Sequence, residues 1–527
     1  MKKKIFINEK HWHKIKTNKT EIFYKGFDSR KNINAILSIL SQKKNVKSLL
    51  AYAKTLKNNF AIIIKRNNNI YAITDKIRAF PLLYFFDGKK FFLFENYSQT
   101  KNLDFKKEID NDQVLFFSLS GYTHDQYTLY KNVKQINQAT LLSYVDNKIS
   151  LFNYHFFNKS KIYQNTNLEK KLKNINEKII LKLINSCKGK FIVVPLSAGY
   201  DSRFILSGIK EFGFKDIIAF SYGRVKNREV EIAKALTKEM KIPWHYVEYT
   251  NDKLKYIMES EEHKKYEDYA DNLTSIHFPQ DFWAIKYLNN NNIIPKNSVI
   301  VNGQTGDFIS GNHLPKINYT RKNIEKIIIR YYISKHYKLW QKYYDKNKIA
   351  LFNFFYSSLD IKNKNFYKVY EKLEFENRQC KYVINGQRLY EFFNYEWRLP
   401  MWDDLYLNFW GRVPLQEKIN QKLYKKALHN TDWCGVWNNI PINPKSSFPG
   451  YIHMTRLFLK AFFIFKGKAS WHAFEKKYLN YFIDPLCGYA QWEYSKIIKD
   501  NRIFRNSISW QTEKYLNNKK IDWEKII

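Results

Sequence analysis

A strand that ends in a turn of small residues and continues as a helix constrains this chain more than any other feature. The apolar run Phe191-Ile-Val-Val-Pro-Leu is typical of a buried strand, and Ser197-Ala-Gly-Tyr-Asp201-Ser-Arg203 follows it. Small residues allow backbone N–H groups to approach a phosphate, and the next helix presents its positive N-terminal end. Asp201 can lie beside such a polyanion only with a cation between them, which indicates Mg²⁺ and a nucleotide phosphate. The alternative is an ordinary junction capped by Ser or Asp.

The residues after this turn alternate between strand and helix patterns. Further strands are predicted at 217–222, 244–248 and 299–302, with helices at 229–240 and 281–288. This alternation favours an α/β fold with a doubly wound parallel sheet, in which ligands bind beyond the carboxyl ends of the strands. Beyond about residue 315 the pattern is mainly helical and rich in aromatic residues.

The first 160 residues have a different pattern, which is rich in strands. Apolar runs predict strands at 60–64, 70–74, 82–86, 91–94, 114–117 and 139–144. Lys65-Arg-Asn-Asn-Asn between the first two runs indicates a hairpin turn. A polar stretch at 161–167 predicts a linker, and apolar residues at helical spacing then predict a helix over 167–187. We therefore expect a β-rich domain over 1–160 and a second domain over 165–527.

A second turn of small residues follows the strand predicted at 299–302. Asn302-Gly-Gln-Thr-Gly306-Asp307-Phe-Ile-Ser-Gly again places one acid among small residues at the carboxyl end of a strand. Taken alone, it is typical of a glycine-rich turn. Taken with Asp201, it predicts two carboxylates at one edge of the sheet that could hold Mg²⁺ against the phosphates of a nucleotide.

A third motif, Phe392-Phe-Asn-Tyr-Glu396-Trp-Arg398-Leu-Pro-Met-Trp-Asp403, places a carboxylate among aromatic residues. Partial burial would raise the pKa of Glu396 towards the range that suits a general base. The alternative is a structural pair of Glu396 and Arg398 at the end of a helix.

Composition limits the partners that the chain is expected to have. The formal net charge is +40, but lysine and asparagine are abundant along the whole length, so a nucleic-acid partner is not favoured. No apolar run reaches the roughly 18–20 residues of a membrane span. The first residues are too weakly apolar for a signal peptide. The four cysteines are scattered, which favours a cytoplasmic protein with reduced thiols.

The three motifs, in this order, resemble those of the asparagine synthetases and β-lactam synthetases. Ser197-Ala-Gly-Tyr-Asp-Ser is similar to the pyrophosphate loop of ATP pyrophosphatases, Ser-Gly-Gly-x-Asp-Ser, with Ala198 in place of the first Gly. Gly-x-x-Gly-Asp ending at Asp307 and Glu-x-Arg-x-Pro-x-x-Asp from Glu396 complete the set, and Tyr222-Gly, followed by Glu229 and Ala233, resembles the second-strand segment. The resemblance covers about residues 165–450. The loops look most like those of asparagine-synthase-like proteins of bacterial surface-polysaccharide pathways.

This resemblance implies a role for each matching residue. Asp201 and Asp307 would hold Mg²⁺, Leu196 and the Tyr222 backbone would flank adenine, and Glu396 would be the general base. Lys445 is a loose match for a lysine that stabilises the adenylated intermediate. The residues that would bind the pyrophosphate of ATP are Ser197, Gly199, Asp201, Ser202 and, in the second loop, Gly306.

The amino-terminal part resembles the glutaminase (Ntn-type) domain of this family only as a scaffold. Asp75-Lys-Ile-Arg78-Ala-Phe-Pro-Leu-Leu-Tyr is similar to its Asp-x-x-Gly-x-x-Pro-Leu-Tyr-Tyr segment. Glutaminase chemistry needs a cysteine directly after the initiator methionine, and this chain has Lys2 there, with its first cysteine at Cys187. We expect this domain to be inactive towards glutamine.

The resemblance implies an ATP-dependent synthetase that adenylates a carboxylate, releases pyrophosphate and forms an amide with ammonia or an amine. The acceptor is open between aspartate and a sugar (uronic) acid, because Gln304 stands where the asparagine enzymes have Glu. Two alternatives remain: an RNA-modifying ATP pyrophosphatase and a non-catalytic descendant of the family. Mg²⁺-independent ATP binding without turnover would favour the second.

Overall fold

Fifteen strands in three sheets make up the β-structure of the residues that the computed structural model describes, which are all except 1, 18, 102, 104–105, 159–160, 165–166, 226, 360–364 and 444–449. The strands, in chain order, are β1 Lys2–Phe6, β2 His13–Thr17, β3 Thr20–Gly26, β4 Phe60–Arg66, β5 Asn69–Thr74, β6 Leu83–Phe86, β7 Lys90–Phe94, β8 Val133–Gln135, β9 Thr140–Val145, β10 Lys148–Asn153, β11 Phe191–Pro195, β12 Ile217–Gly223, β13 Trp244–Glu248, β14 Ser298–Val301 and β15 Glu396–Arg398.

Helices connect and cover these sheets. The α-helices are α1 Arg30–Gln42, α2 Val46–Ala53, α3 Asn111–Ser120, α4 Leu168–Ser186, α5 Tyr200–Glu211, α6 Arg228–Glu239, α7 Asn251–Glu259, α8 Glu261–Ala270, α9 Phe282–Asn290, α10 Gly306–Ile309, α11 Ile324–His336, α12 Gln341–Ser357, α13 Phe366–Glu374, α14 Gln387–Phe392, α15 Asp404–Trp410, α16 Leu415–Lys418, α17 Lys422–Thr431, α18 Val436–Asn439, α19 Gly450–Ala461, α20 Gly467–Phe474, α21 Asn480–Ile483, α22 Tyr494–Lys499, α23 Ser507–Asn518 and α24 Trp523–Ile526. Short 3₁₀ turns lie at Glu9–His11, Tyr97–Thr100, Pro400–Trp402, Ile419–Gln421 and Trp433–Gly435, and π-helical turns at Phe375–Val383 and Glu475–Leu479.

The sheet that carries the first two motifs is parallel, and its strands lie in the order β13-β12-β11-β14-β15. The chain moves outward from β11 to β12 and β13, then returns to place β14 on the other side of β11. The order of strands therefore reverses between β11 and β14, and ligands bind outside the carboxyl ends of strands at such a point. This confirms the predicted α/β fold with a parallel sheet.

The first 153 residues form a four-stranded and a six-stranded sheet, as the strand-rich pattern predicts. β4 and β5 form the predicted hairpin, with Arg66 paired to Asn69. The strand predicted at 114–117 is wrong, because these residues lie in α3. The Asp110 side chain caps this helix by accepting from the Gln113 N–H. Val114, Phe116 and Phe117 are buried and Leu115 is half-buried, and all four residues are apolar, so the run shows no helical period.

Arg78 links the amino-terminal part to the rest of the chain. It is buried, and its Nε donates to the Cys380 carbonyl oxygen at 3.0 Å. Its φ of +56° lies in the left-handed region, at the position where the resembled segment has Gly. The backbone therefore keeps a conformation that suits glycine although the residue is arginine.

Among the described residues, no helix combines the length and the apolar character that a membrane crossing requires.

Candidate functional site

Asp201 and Asp307 meet at the carboxyl edge of the parallel sheet. Asp201 lies in the first turn of α5, directly after β11, and Asp307 lies in α10, after β14. The Asp307 backbone N–H donates to Asp201 Oδ2 at 2.9 Å. Because β11 and β14 flank the point where the strand order reverses, both acids face the crevice in which such sheets bind ligands.

Two glycines allow the second loop to pack directly against Asp201. A Cβ on Gly306 would lie far inside van der Waals contact with the Asp201 carboxylate, and one on Gly303 would lie 2.8 Å from Asp201 Cβ. Neither glycine has a positive φ, so close approach rather than backbone freedom requires them. The Gly-x-x-Gly-Asp spacing is therefore explained by the contact between the two loops.

Thr305, which lies between these two glycines, has a strained backbone. Its φ is +81°, which is unusual for a β-branched residue. Its Oγ1 donates to Gln379 Oε1 at 3.2 Å, in the π-helical turn Phe375–Val383. Strain of this kind is found at functional sites, where surrounding contacts hold it in place.

We expect Thr305→Gly to be more stable than Thr305→Ala by about 1 kcal/mol, the reverse of the usual order of the two residues. Both variants lose the hydrogen bond to Gln379, but only glycine relieves the positive φ. Urea unfolding of the two variants measures the difference. An alanine variant that is as stable as the glycine variant would contradict the account of strain.

The electrostatics of the acidic pair suit a divalent cation. Burial and the neighbouring Asp307 carboxylate raise the pKa of Asp201 to about 8. The hydrogen-bond donors to the two carboxylates are neutral: the Tyr424 hydroxyl to Asp201 Oδ1 at 2.9 Å, the Gln421 amide to Asp307 Oδ1 at 3.2 Å, and the Asp307 N–H. Oxygen ligands from two carboxylates are the set that Mg²⁺ prefers, so these residues fit the cation.

The loop after β11 is ordered by its own serines. The Ser202 hydroxyl accepts from the Ser197 N–H at 3.1 Å, and the Ser197 hydroxyl accepts from the Gly199 N–H at 3.2 Å. Leu196 and Ala198 are buried beneath the loop, and Ala198 is not among the residues with positive φ. The replacement of glycine by Ala198 therefore introduces no backbone strain. The predicted residues from Leu196 to Ser202 lie together at this edge.

Tyr222, at the end of β12, takes part in a buried network. Its hydroxyl and that of Tyr390 both donate to the Asp281 carboxylate, the second at 2.6 Å. Burial raises the pKa of Asp281, while the two hydroxyls act to lower it. The Asn302 amide donates to the Tyr390 hydroxyl at 3.3 Å, so the network joins the ends of β12 and β14. The Tyr222 side chain therefore belongs to a buried hydrogen-bond network at this edge of the sheet.

Glu396 lies away from the acidic pair. It is the first residue of β15 and pairs with Val299 in β14. Val299 in turn pairs with Ile192, near the start of β11. Leu196 lies four positions after Ile192, about 13 Å along the strand. Glu396 faces the amino edge, where its Oε1 accepts from Lys190 Nζ at 2.5 Å and its Oε2 from Arg398 at 3.0 Å.

The expected rise in the pKa of Glu396 is therefore wrong. Burial alone would raise it, but Arg398 and Lys190 outweigh burial and lower the pKa. The structure does not bring Glu396 together with Asp201 and Asp307, because the register of β15 directs it to the other edge. The arrangement is the structural Glu396–Arg398 pair considered as the alternative, with Lys190 added.

For the ATP-dependent turnover that the sequence motifs imply, we expect Glu396→Gln to retain the rate within about threefold and to lose at most about 1 kcal/mol of stability. A general base at the reacting nitrogen would instead cost about 100-fold or more. Turnover measured at saturating substrate separates the two cases. A loss of the larger size would show that Glu396 acts in the reaction despite its position.

Lys445 falls outside the described residues. Asn443, two residues earlier, donates its backbone N–H to the Ala198 carbonyl oxygen at 3.0 Å. Its side-chain oxygen also lies 3.4 Å from where a Cβ on Gly199 would be. The described chain before Lys445 therefore contacts the loop after β11.

Several residues at this edge were not predicted from the sequence, because no motif contains them. Tyr424 and Gln421 lie more than 100 positions from the acids that they contact. His313 Nδ1 lies 2.5 Å from Glu374 Oε1, and the Gln379 amide donates to the same oxygen at 3.1 Å. Gln379 also contacts Thr305, so a His–carboxylate pair is joined to the second loop.

A separate buried cluster lies on and after α8. His263, Glu267 and His277 bring three metal-ligating groups within 4.8 Å of one another. Burial lowers the pKa of both histidines to about 3, so both are neutral at ordinary pH. Lys514 Nζ lies 3.0 Å from Glu267 Oε1 and supplies a cation. In this cluster Glu267 pairs with Lys514, and two neutral imidazoles lie beside the pair. The cluster does not include the residues at the edge with Asp201.

No family model and no curated protein matches this chain. Among solved structures, the NH3-dependent NAD synthetase of Campylobacter jejuni is similar at 14% identity, over 42% of this chain and 97% of that chain, with a TM-score of 0.22. The glutamine phosphoribosylpyrophosphate amidotransferase of B. subtilis is similar at 7% identity, over 51% and 77%, with a TM-score of 0.20. At such TM-scores neither likeness bears on the function of this chain.

Proposed function

We propose that the chain is an Mg²⁺- and ATP-dependent synthetase that adenylates a carboxylate and then forms an amide. The observation that carries the proposal is the meeting of Asp201 and Asp307 at the point where the strand order reverses, with neutral donors around them. The first two sequence motifs of the resembled synthetases support the reaction class. They supply the two acids and the glycine that allows the two loops to pack together.

In this proposal the loop after β11 binds and orients the phosphates. The start of α5 and the hydroxyls of Ser197 and Ser202 would donate to the pyrophosphate portion of ATP, and Leu196 and Tyr222 would flank adenine. Asp201 and Asp307 would hold Mg²⁺, which neutralises the phosphate charge when bound. Most of the rate enhancement then comes from position and electrostatics.

The proposed reaction has two steps. An oxygen of the acceptor carboxylate attacks the α-phosphorus of ATP, the bond to the β-phosphate oxygen breaks, and pyrophosphate leaves. Ammonia or an amine then attacks the acyl carbon, the bond from that carbon to the AMP oxygen breaks, and the nitrogen loses one proton to solvent, giving the amide and AMP. Lys445 is proposed to stabilise the adenylated intermediate, since it follows Asn443, which contacts the loop.

The test is pyrophosphate release from ATP across a panel of carboxylates that includes aspartate and nucleotide-linked uronic acids. The expected result is release that requires Mg²⁺, one acid and ammonium or an amine, with no replacement by glutamine. Release of ADP and phosphate would contradict the reaction class. ATP binding that does not depend on Mg²⁺, with no release for any acid, would favour a non-catalytic descendant, and co-purifying tRNA would favour the RNA-modifying alternative.

A further inference from the structure

α19 and α20 form a helical hairpin whose inner side is closed by its own contacts. The Phe463 ring lies 5.6 Å from that of Trp471 and 5.0 Å from that of Phe474. The Arg456 guanidinium pairs with Glu475 across the hairpin. These contacts fix which side of the hairpin faces inward.

The outer side of this hairpin is unusually apolar for an exposed surface. Its large exposed side chains, with their exposed fractions, are Met454 66%, Leu457 50%, Phe458 66%, Phe462 62%, Ile464 71% and Phe465 98%. Met454, Leu457 and Phe458 lie on one face of α19, and Phe462, Ile464 and Phe465 lie in the turn that connects it to α20. Since a phenylalanine presents about 150–250 Å², the three phenylalanines alone expose roughly 450 Å². Exposed apolar patches of this size on soluble proteins are often functional.

The charge of the same segment is wholly positive. Lys460, Lys466 and Lys468 are exposed beside the apolar side chains. From residue 433 to 474 the sequence contains no aspartate or glutamate. An apolar helical face bordered by lysines is the arrangement with which proteins lie on anionic bilayers, with the apolar side chains among the acyl chains and the lysines at the headgroups.

We propose that the outer face of the α19–α20 hairpin binds the surface of an anionic lipid bilayer. Charge favours this occupant over a second copy of the chain, because two such faces would place like charges together on molecules of net charge +40. The inference is independent of the proposed reaction, since it uses none of the residues at the edge with Asp201 and Asp307.

The test is flotation of the full-length protein with vesicles of phosphatidylcholine alone or with about one-third phosphatidylglycerol. The wild type is expected to float with the anionic vesicles and to float less at high salt. The triple variant Phe458→Ser, Phe462→Ser, Phe465→Ser is expected to bind about tenfold or more weakly. These side chains are exposed, so the variant should fold, which circular dichroism checks.

Ile349→Ser is the matched control, because Ile349 is 70% exposed on α12 and lies outside the hairpin. It should bind vesicles as the wild type does. A wild type that does not float with anionic vesicles, or a triple variant that floats equally well, would overturn the proposal. Self-association of the wild type that the triple variant abolishes, without vesicle binding, would overturn it in favour of contacts between copies.

Discussion

Asp201→Asn is expected to stabilise the metal-free protein by about 2 kcal/mol at pH 8. The same substitution is expected to remove the stabilisation of the protein by Mg²⁺. Asparagine keeps the shape of the side chain: its oxygen can accept from the Asp307 N–H, and its amide can donate to the Tyr424 hydroxyl. What is lost is the negative charge beside Asp307. Pyrophosphate release should disappear, because one of the two proposed ligands of Mg²⁺ is gone.

The same change should alter the pH dependence of stability. Burial and Asp307 raise the pKa of Asp201 from 3.8 to about 8, so the folded protein keeps a proton that the unfolded chain loses. The contribution of this group is fully present below pH 4 and is lost as the pH rises towards 8. The free energy of unfolding of the metal-free wild type should therefore fall across this window, and that of Asp201→Asn should fall less.

Urea unfolding from pH 5 to pH 8, with and without Mg²⁺, measures these effects. Mg²⁺ should stabilise the wild type more at pH 8 than at pH 5, because it binds the ionised pair. Asp216→Asn is the matched control, since Asp216 is exposed and lies before β12 at the other edge. An Asp201→Asn protein that is less stable than the wild type at every pH, or that keeps the full Mg²⁺ response, would contradict the account.

Gly306→Ala is expected to reduce turnover by at least about 100-fold and to destabilise the protein by about 2–3 kcal/mol. The added methyl would overlap the Asp201 carboxylate, so the two acidic loops would have to separate. Turnover with a saturating acceptor and urea unfolding measure the two effects. The defect should also appear as a weaker stabilisation by Mg²⁺.

A double-mutant cycle shows whether the overlap with Asp201 is the cause. The atoms that a Cβ on Gly306 would meet first all belong to the Asp201 carboxylate. In an Asp201→Ala background, Gly306→Ala should therefore cost less than about 1 kcal/mol. An unchanged cost in that background would mean that another contact, rather than Asp201, requires glycine at this position.

The parts of the site that lie next to strand ends could be predicted from the sequence. Asp201 and Asp307 follow apolar runs within a few residues, and parallel strands bring their carboxyl ends to one edge. The close packing of Gly306 on Asp201 could not be predicted in this way, although the motif contained the glycine. Spacing along the chain shows that a small residue is needed, but not which atom it contacts.

Other parts could not be predicted, because they depend on register or on contacts between distant segments. Glu396 lies at the amino edge since β15 pairs with β14 at Val299, and a three-residue strand gives no sign of its register. Tyr424 contacts Asp201 across 223 positions. The run at 114–117 is apolar on every side, so neither a period of two nor one of 3.6 is visible in it.

Calorimetric titration of the wild-type protein with ATP, in the presence and absence of Mg²⁺, tests the central claim most directly. The claim is that Asp201 and Asp307 form an Mg²⁺-dependent ATP site at the carboxyl edge of the sheet. The account predicts one ATP bound per chain with Mg²⁺, and binding at least about tenfold weaker without Mg²⁺ or in Asp307→Asn. Equal affinity in all three conditions, or no binding by the wild type, would contradict it.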